Sequence, residues 1–86
     1  MKGGLVPLTM VVSGREVTLV SITGGRGLRA RLSDMGLSEG MKLKVIHSHR
    51  RGPCIILVGG TRLILGHGMA QKILVREIIP SGEDQQ

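Results

Sequence analysis

The stretch Cys54-Ile55-Ile56-Leu57-Val58-Gly59-Gly60-Thr61-Arg62-Leu63-Ile64-Leu65 consists of two apolar runs joined by two glycines. Runs of four to eight residues rich in Ile and Val are typical of β-strands. A Gly-Gly pair between two such runs is typical of a tight hairpin, because that turn needs positive φ at both residues. The stretch therefore predicts an antiparallel hairpin with strands at Cys54–Val58 and Thr61–Leu65.

Further strand patterns lie on both sides of this hairpin. They occupy Glu16–Ile22 and Lys42–His47 before it, and Ile73–Ile78 after it. One helical turn is predicted over Gly66–Gln71, ahead of the last strand. The chain thus contains about five short strands.

A single short helix is predicted between the first two strands, over Arg26–Met35. Its apolar positions follow the i, i+4, i+7 spacing of one helix face, and they are Leu28, Leu32 and Met35. Gly36 stands where a helix commonly stops in a left-handed residue, and Leu37 is placed to pack back on the last turn. This is the pattern of a Schellman ending.

The composition limits the fold to one small domain. The chain has 86 residues, of which 41% are hydrophobic and none is Phe, Tyr or Trp. Its core must therefore be aliphatic, and its size excludes large catalytic scaffolds. We predict a mainly β fold, a small and partly open SH3-like barrel of about five strands, with one short helix after the first strand and a helical turn before the last. This domain should span residues 1–80, with a polar tail at 81–86.

Charge and apolar patterning bear on partners and location. The net charge is +6, which suits an acidic partner. The single cysteine excludes a disulfide framework. The longest apolar run, Cys54–Val58, falls far short of the roughly 18 residues that a membrane span needs, and the start of the chain does not have a signal peptide pattern. We expect a cytoplasmic protein that does not insert into the membrane.

Two segments together resemble the FeoA family. They are Gly24-Gly25-Arg26-Gly27-Leu28-Arg29-Ala30-Arg31-Leu32-Ser33-Asp34-Met35-Gly36-Leu37-Ser38-Glu39-Gly40, and Ile56–Leu65 followed by Ala70 and Ile73–Val75. The resemblance implies an SH3-like barrel and a small cytoplasmic accessory of bacterial ferrous-iron uptake. Its implied partner is the cytoplasmic GTP-binding part of the FeoB membrane transporter. Related barrels form the C-terminal domains of iron- and manganese-dependent repressors, but this chain has no helix-turn-helix region.

A metal site is the first candidate for chemistry. His47, His49 and Cys54 are the only cluster of soft or borderline ligands in the sequence. By strand alternation they would meet near one rim of the barrel, where three such ligands and water would suit Fe²⁺ or Zn²⁺. The alternative is that Cys54 is a small buried residue and the histidines are solvated. We expect no required cofactor and, if an ion is held, these three ligands.

A partner surface is the second candidate. In the predicted register Ile55 lies across from Ile64 and Leu57 across from Arg62, so Ile46, Ile55, Leu57 and Ile64 would share the outer face of the sheet. An exposed apolar cluster marks a contact surface, here for an acidic partner or a second copy of the chain. Arg29 on the helix is expected to contact a partner as well. The alternative is that the N-terminal segment, Leu5–Val12, folds over this face.

Two other classes of function are less well supported. Catalysis has no Ser/His/acid arrangement, and Gly24-Gly25-Arg26-Gly27 lacks the Gly-Lys-Ser/Thr ending of a phosphate loop. A basic nucleic-acid-binding barrel is the alternative function, since seven cations lie in two clusters: Arg26, Arg29, Arg31, Lys42, Lys44, Arg50 and Arg51. Single-strand binders usually stack bases on aromatic side chains, and this chain has none. We therefore predict a non-catalytic protein that works by protein contact.

Overall fold

The strands form one antiparallel sheet that does not close on itself. The structure, a computed structural model, describes residues 4–49 and 51–78. Its elements are β1 (Val6–Pro7), a 3₁₀ turn (Leu8–Met10), β2 (Glu16–Ile22), α1 (Arg26–Asp34), β3 (Lys42–His47), β4 (Cys54–Val58), β5 (Thr61–Leu65), α2 (His67–Ala70) and β6 (Ile73–Glu77). The strand order is β1-β6-β2-β3-β4-β5. The mainly β, partly open fold and its two short helices confirm the prediction.

The β4–β5 hairpin has the predicted register. Ile55 pairs with Ile64 and Leu57 pairs with Arg62. The turn glycines have φ values of 56° and 85°, which a two-residue hairpin of the primed type requires. The hairpin follows from local sequence alone.

The predicted Schellman ending of α1 is confirmed. Gly36, at φ 92°, donates its N–H to the Ser33 carbonyl at 2.9 Å, and Leu37 donates its N–H to the Leu32 carbonyl at 2.9 Å. Leu32 and Leu37 are both buried. Met35, which the helical spacing placed on the same face, is instead 36% exposed, because the helix ends at residue 34 and the chain turns there.

The core lies on the inner face of the sheet and is wholly aliphatic apart from one thiol. Alternation along β4 buries Cys54, Ile56 and Val58. The other buried apolar residues are Leu8, Val11, Val17, Leu19, Ile22, Leu32, Leu37, Leu43, Val45, Leu65, Ala70, Ile73 and Val75. Strand alternation therefore leaves the opposite face of β3–β5 to solvent.

The N-terminal segment does not have the covering role considered above. Val6 pairs with Val75 and Pro7 with Leu74, so β1 extends the sheet at the end opposite β5. Leu8 and Val11 then enter the interior cluster. The sequence did not predict β1, because two residues are too short for an alternating pattern and proline suits only an edge strand.

Two further predictions concern the ends and the membrane. The proposed tail at 81–86 lies outside the described residues. No helix in the described part of the chain is long and apolar enough to cross a membrane.

Replacing Gly27 with alanine is expected to stabilise the protein by about 0.5 kcal/mol. Gly27 lies in α1, and a Cβ added there meets nothing within 4 Å, so alanine would only restrict the unfolded chain. The matched variant Gly36→Ala also meets open space, but its positive φ should make it destabilising by about 1 kcal/mol. Urea unfolding of both variants measures the difference, and equal effects would contradict the argument.

Candidate functional site

A β-bulge in β3 sets the geometry of the candidate site. Val45 pairs with Ile56, but the next pair along the ladder is His47 with Ile55. Two residues of β3, Ile46 and His47, therefore lie opposite one residue of β4, and Ile46 is the extra residue of the bulge. Opposed residues share a face of the sheet, so the bulge turns His47 to the outer face with Ile55.

Two cross-strand rows run over the outer face. One row is His47, Ile55 and Ile64; the other is Lys44, Leu57 and Arg62. Ile64 is 66% exposed, while Ile55, Leu57 and Ile46 are half-buried. Lys44 and Arg62 are exposed. The face, named here the outer hairpin face, therefore combines an apolar row of Ile55 and Ile64, with His47 at its end, and a row that carries two cations.

The bulge also brings two imidazoles together. The Nε2 atoms of His47 and His49 are 2.7 Å apart, and the rings meet edge to face with centroids 4.2 Å apart. Ser48 between them donates its N–H to Ser13 Oγ and its hydroxyl to the Thr9 carbonyl, both at 3.2 Å. The backbone of the pair is thus tied to the segment that follows β1.

Cys54 does not join this pair. Its register partner is Leu65 and it is fully buried, on the face of β4 opposite Ile55. Within the described residues, no group of three or more His, Cys, Asp or Glu side chains could hold a metal ion. The predicted meeting of His47, His49 and Cys54 at one rim is therefore wrong, because strand alternation was counted without the bulge.

The thiol of Cys54 is expected to be inert in the folded protein. Burial raises its pKa to about 11, from an ordinary value of 9.0, so the nucleophilic thiolate is scarce near neutral pH. An aromatic disulfide reagent at pH 8 should modify Cys54 only after unfolding. Since the native thiol keeps its proton longer than the unfolded one, its contribution to stability is complete below pH 9 and is lost as the pH rises through about 11. Rapid native labelling would contradict this expectation.

Arg29 lies apart from these rows, on α1. Its guanidinium donates to Glu39 Oε2 at 3.1 Å, and both side chains remain about half exposed. The sequence analysis missed this ion pair, since the two residues are separated by the turn at the end of α1. An exposed pair of this kind contributes at most about 1 kcal/mol, so Arg29 can exchange Glu39 for another carboxylate at small cost.

Comparison with known proteins identifies the family. The FeoA domain model matches residues 6–77. The chain is 38% identical over 82 residues to the "Putative Fe(2+) transport protein A" of Methanocaldococcus jannaschii, an alignment that covers 95% of this chain and 99% of the relative. It also superposes on the crystal structure of an iron uptake regulatory protein (FeoA) with a TM-score of 0.81 and 40% identity, covering 87% of this chain and 100% of that one.

A more distant likeness concerns the fold alone. A manganese-dependent transcriptional repressor matches with a TM-score of 0.80 at 19% identity, covering 91% of this chain and 44% of the repressor. The family model, in contrast, matches nearly all of the described residues, and the relative from Methanocaldococcus jannaschii has twice the sequence identity of the repressor. The chain belongs to the FeoA domain family of Fe(2+) transport.

Proposed function

We propose that this protein is a non-catalytic accessory of ferrous-iron uptake that acts in the cytoplasm on a FeoB-type transporter. In this proposal it binds the transporter's cytoplasmic GTP-binding part by protein contact. Family membership supports the pathway, since a relative 38% identical carries the name of an Fe(2+) transport protein. The contact itself is supported by the chemistry of the surface.

The outer hairpin face carries the argument for protein contact. Ile64 is 66% exposed and lies beside Ile55 in the apolar row, whereas water-facing strand positions are usually polar. Burying such a side chain against a partner would contribute about 1.5–3 kcal/mol before the cost of association. Lys44 and Arg62 flank Leu57 in the second row and would orient an acidic partner surface.

A shallow depression lies next to the second row. Glu16, Lys42, Lys44 and Leu57 line it together with the turn glycines of the hairpin. The two lysines give it positive charge, which suits a partner carboxylate.

The one thiol of the chain lies in the interior with a raised pKa, which favours binding over covalent catalysis.

A quantitative binding measurement tests the proposal. The full chain is titrated onto a FeoB cytoplasmic GTP-binding domain with GTP, with GDP and without nucleotide, and binding is followed by interferometry. We expect saturable binding that Arg29→Glu weakens while the domain stays folded, with the free energy of unfolding lowered by about 1 kcal/mol at most through loss of the exposed Glu39 pair. The absence of binding in all three nucleotide states would contradict the proposed contact.

The same measurement separates the remaining alternatives. Duplex DNA and single-stranded RNA replace the transporter domain in parallel titrations at several salt concentrations. Affinity for them that falls steeply with salt, without affinity for the transporter domain, would favour the nucleic-acid-binding barrel. Sedimentation of the chain alone shows whether the outer hairpin face pairs with a second copy instead.

A further inference from the structure

We propose that His47 and His49 form a two-point chelate for a divalent transition metal ion of the Fe²⁺ and Zn²⁺ class. The ligand atoms are the two Nε2 nitrogens, and the remaining coordination positions are open to water. Imidazole is a good ligand for these ions. The inference does not depend on the proposed transporter contact.

The distance between the two nitrogens carries the proposal. They lie 2.7 Å apart, whereas two imidazoles on one tetrahedral ion, each bound at about 2.0–2.1 Å, have nitrogens roughly 3.4 Å apart. The rings therefore need to separate by less than about 1 Å to admit the ion. Both side chains are exposed, so small side-chain rotations suffice and no core residue has to move.

Chelation requires one of the two rings to change its tautomer. In a hydrogen bond between two imidazoles, one Nε2 donates a proton and the other accepts it. When an ion takes both lone pairs, the donor ring changes tautomer and carries its proton on Nδ1 instead. The ion thus replaces the hydrogen bond and leaves each ring neutral.

The local fold holds the pair in place before any ion binds. The bulge turns His47 to the outer face, and His49 follows two residues later along the chain. Ser48 is anchored between them by hydrogen bonds to Ser13 and Thr9. A backbone anchored between the two histidines lowers the ordering cost of chelation.

Calorimetric titration of the full chain with Zn²⁺ tests the chelate, with Co²⁺ as a spectroscopic probe and Mg²⁺ as a hard-ion control. We expect Zn²⁺ to bind with a stoichiometry of one and Mg²⁺ not to bind. His47→Ala and His49→Ala should each weaken Zn²⁺ binding by at least about tenfold, and His47→Asn and His49→Asn provide second variants that keep polarity. Both positions are exposed, so circular dichroism should show unchanged folds.

Two matched controls keep the result specific. His67→Ala removes the third histidine, which lies on α2, and Cys54→Ala removes the buried thiol. Neither should change Zn²⁺ affinity, and on Zn²⁺ addition only the imidazole resonances of His47 and His49 should shift. Zn²⁺ affinity that survives the His47 and His49 variants, or that is lost in either control, would overturn the proposal.

Discussion

Replacing Leu32 with alanine is expected to lower the free energy of unfolding by about 2–5 kcal/mol. Leu32 is fully buried in the interior cluster, so the shorter side chain would leave a cavity against β-strands that cannot collapse onto it. Its carbonyl also accepts the Leu37 N–H that ends α1. A domain of this size has only several kcal/mol of stability in total, and the variant should therefore be close to unfolding at physiological temperature. Urea unfolding followed by circular dichroism measures the loss.

Met35→Ala is the matched control for this prediction. It removes a similar volume from the same segment, but Met35 is 36% exposed and should cost less than about 1 kcal/mol. The comparison separates loss of core packing from loss of a side chain of similar volume at the surface, because Met35 lies just after the end of α1. If Leu32→Ala unfolds within 1 kcal/mol of the unchanged protein, α1 is peripheral to the core.

Ile64→Lys is expected to weaken the proposed partner contact at least tenfold without changing the melting curve. Ile64 contributes little to the fold because it is 66% exposed on an edge strand. In a complex the Ile64 side chain would be desolvated. A lysine in its place would bury an unpaired ammonium charge at the interface, which lowers the affinity. The interferometric titration on the transporter domain measures the affinity, and calorimetric melting measures the stability.

Thr61→Lys provides the control for charge. Thr61 is exposed on the same strand, but its register partner is Val58, so it lies on the other face from Ile64. Thr61→Lys adds the same charge away from the outer hairpin face and should leave the affinity unchanged. Leu57→Lys should weaken binding as Ile64→Lys does. An Ile64→Lys variant that binds as tightly as the unchanged protein would remove the outer hairpin face from the contact.

The sequence alone determined the elements whose cause is local. Gly59 and Gly60 fixed the hairpin and with it the pairs Ile55–Ile64 and Leu57–Arg62, since a two-residue turn leaves one register. Gly36 fixed the end of α1, because it takes a positive φ at low cost. The resemblance that these segments carry also gave the correct family.

The tertiary structure alone decided which groups meet on the outer face. The bulge at Ile46 inserts one residue into β3, and no local pattern distinguishes that insertion from regular alternation. Regular alternation past residue 46 would place His47 on the inner face, opposite Cys54. The bulge instead turns the imidazole to the outer face, and the thiol lies in the core. Likewise β1 and the Arg29–Glu39 ion pair depend on contacts between segments distant in sequence. Alternation is a property of each strand, but the register between strands that are not joined by a tight turn is set by how the whole core packs.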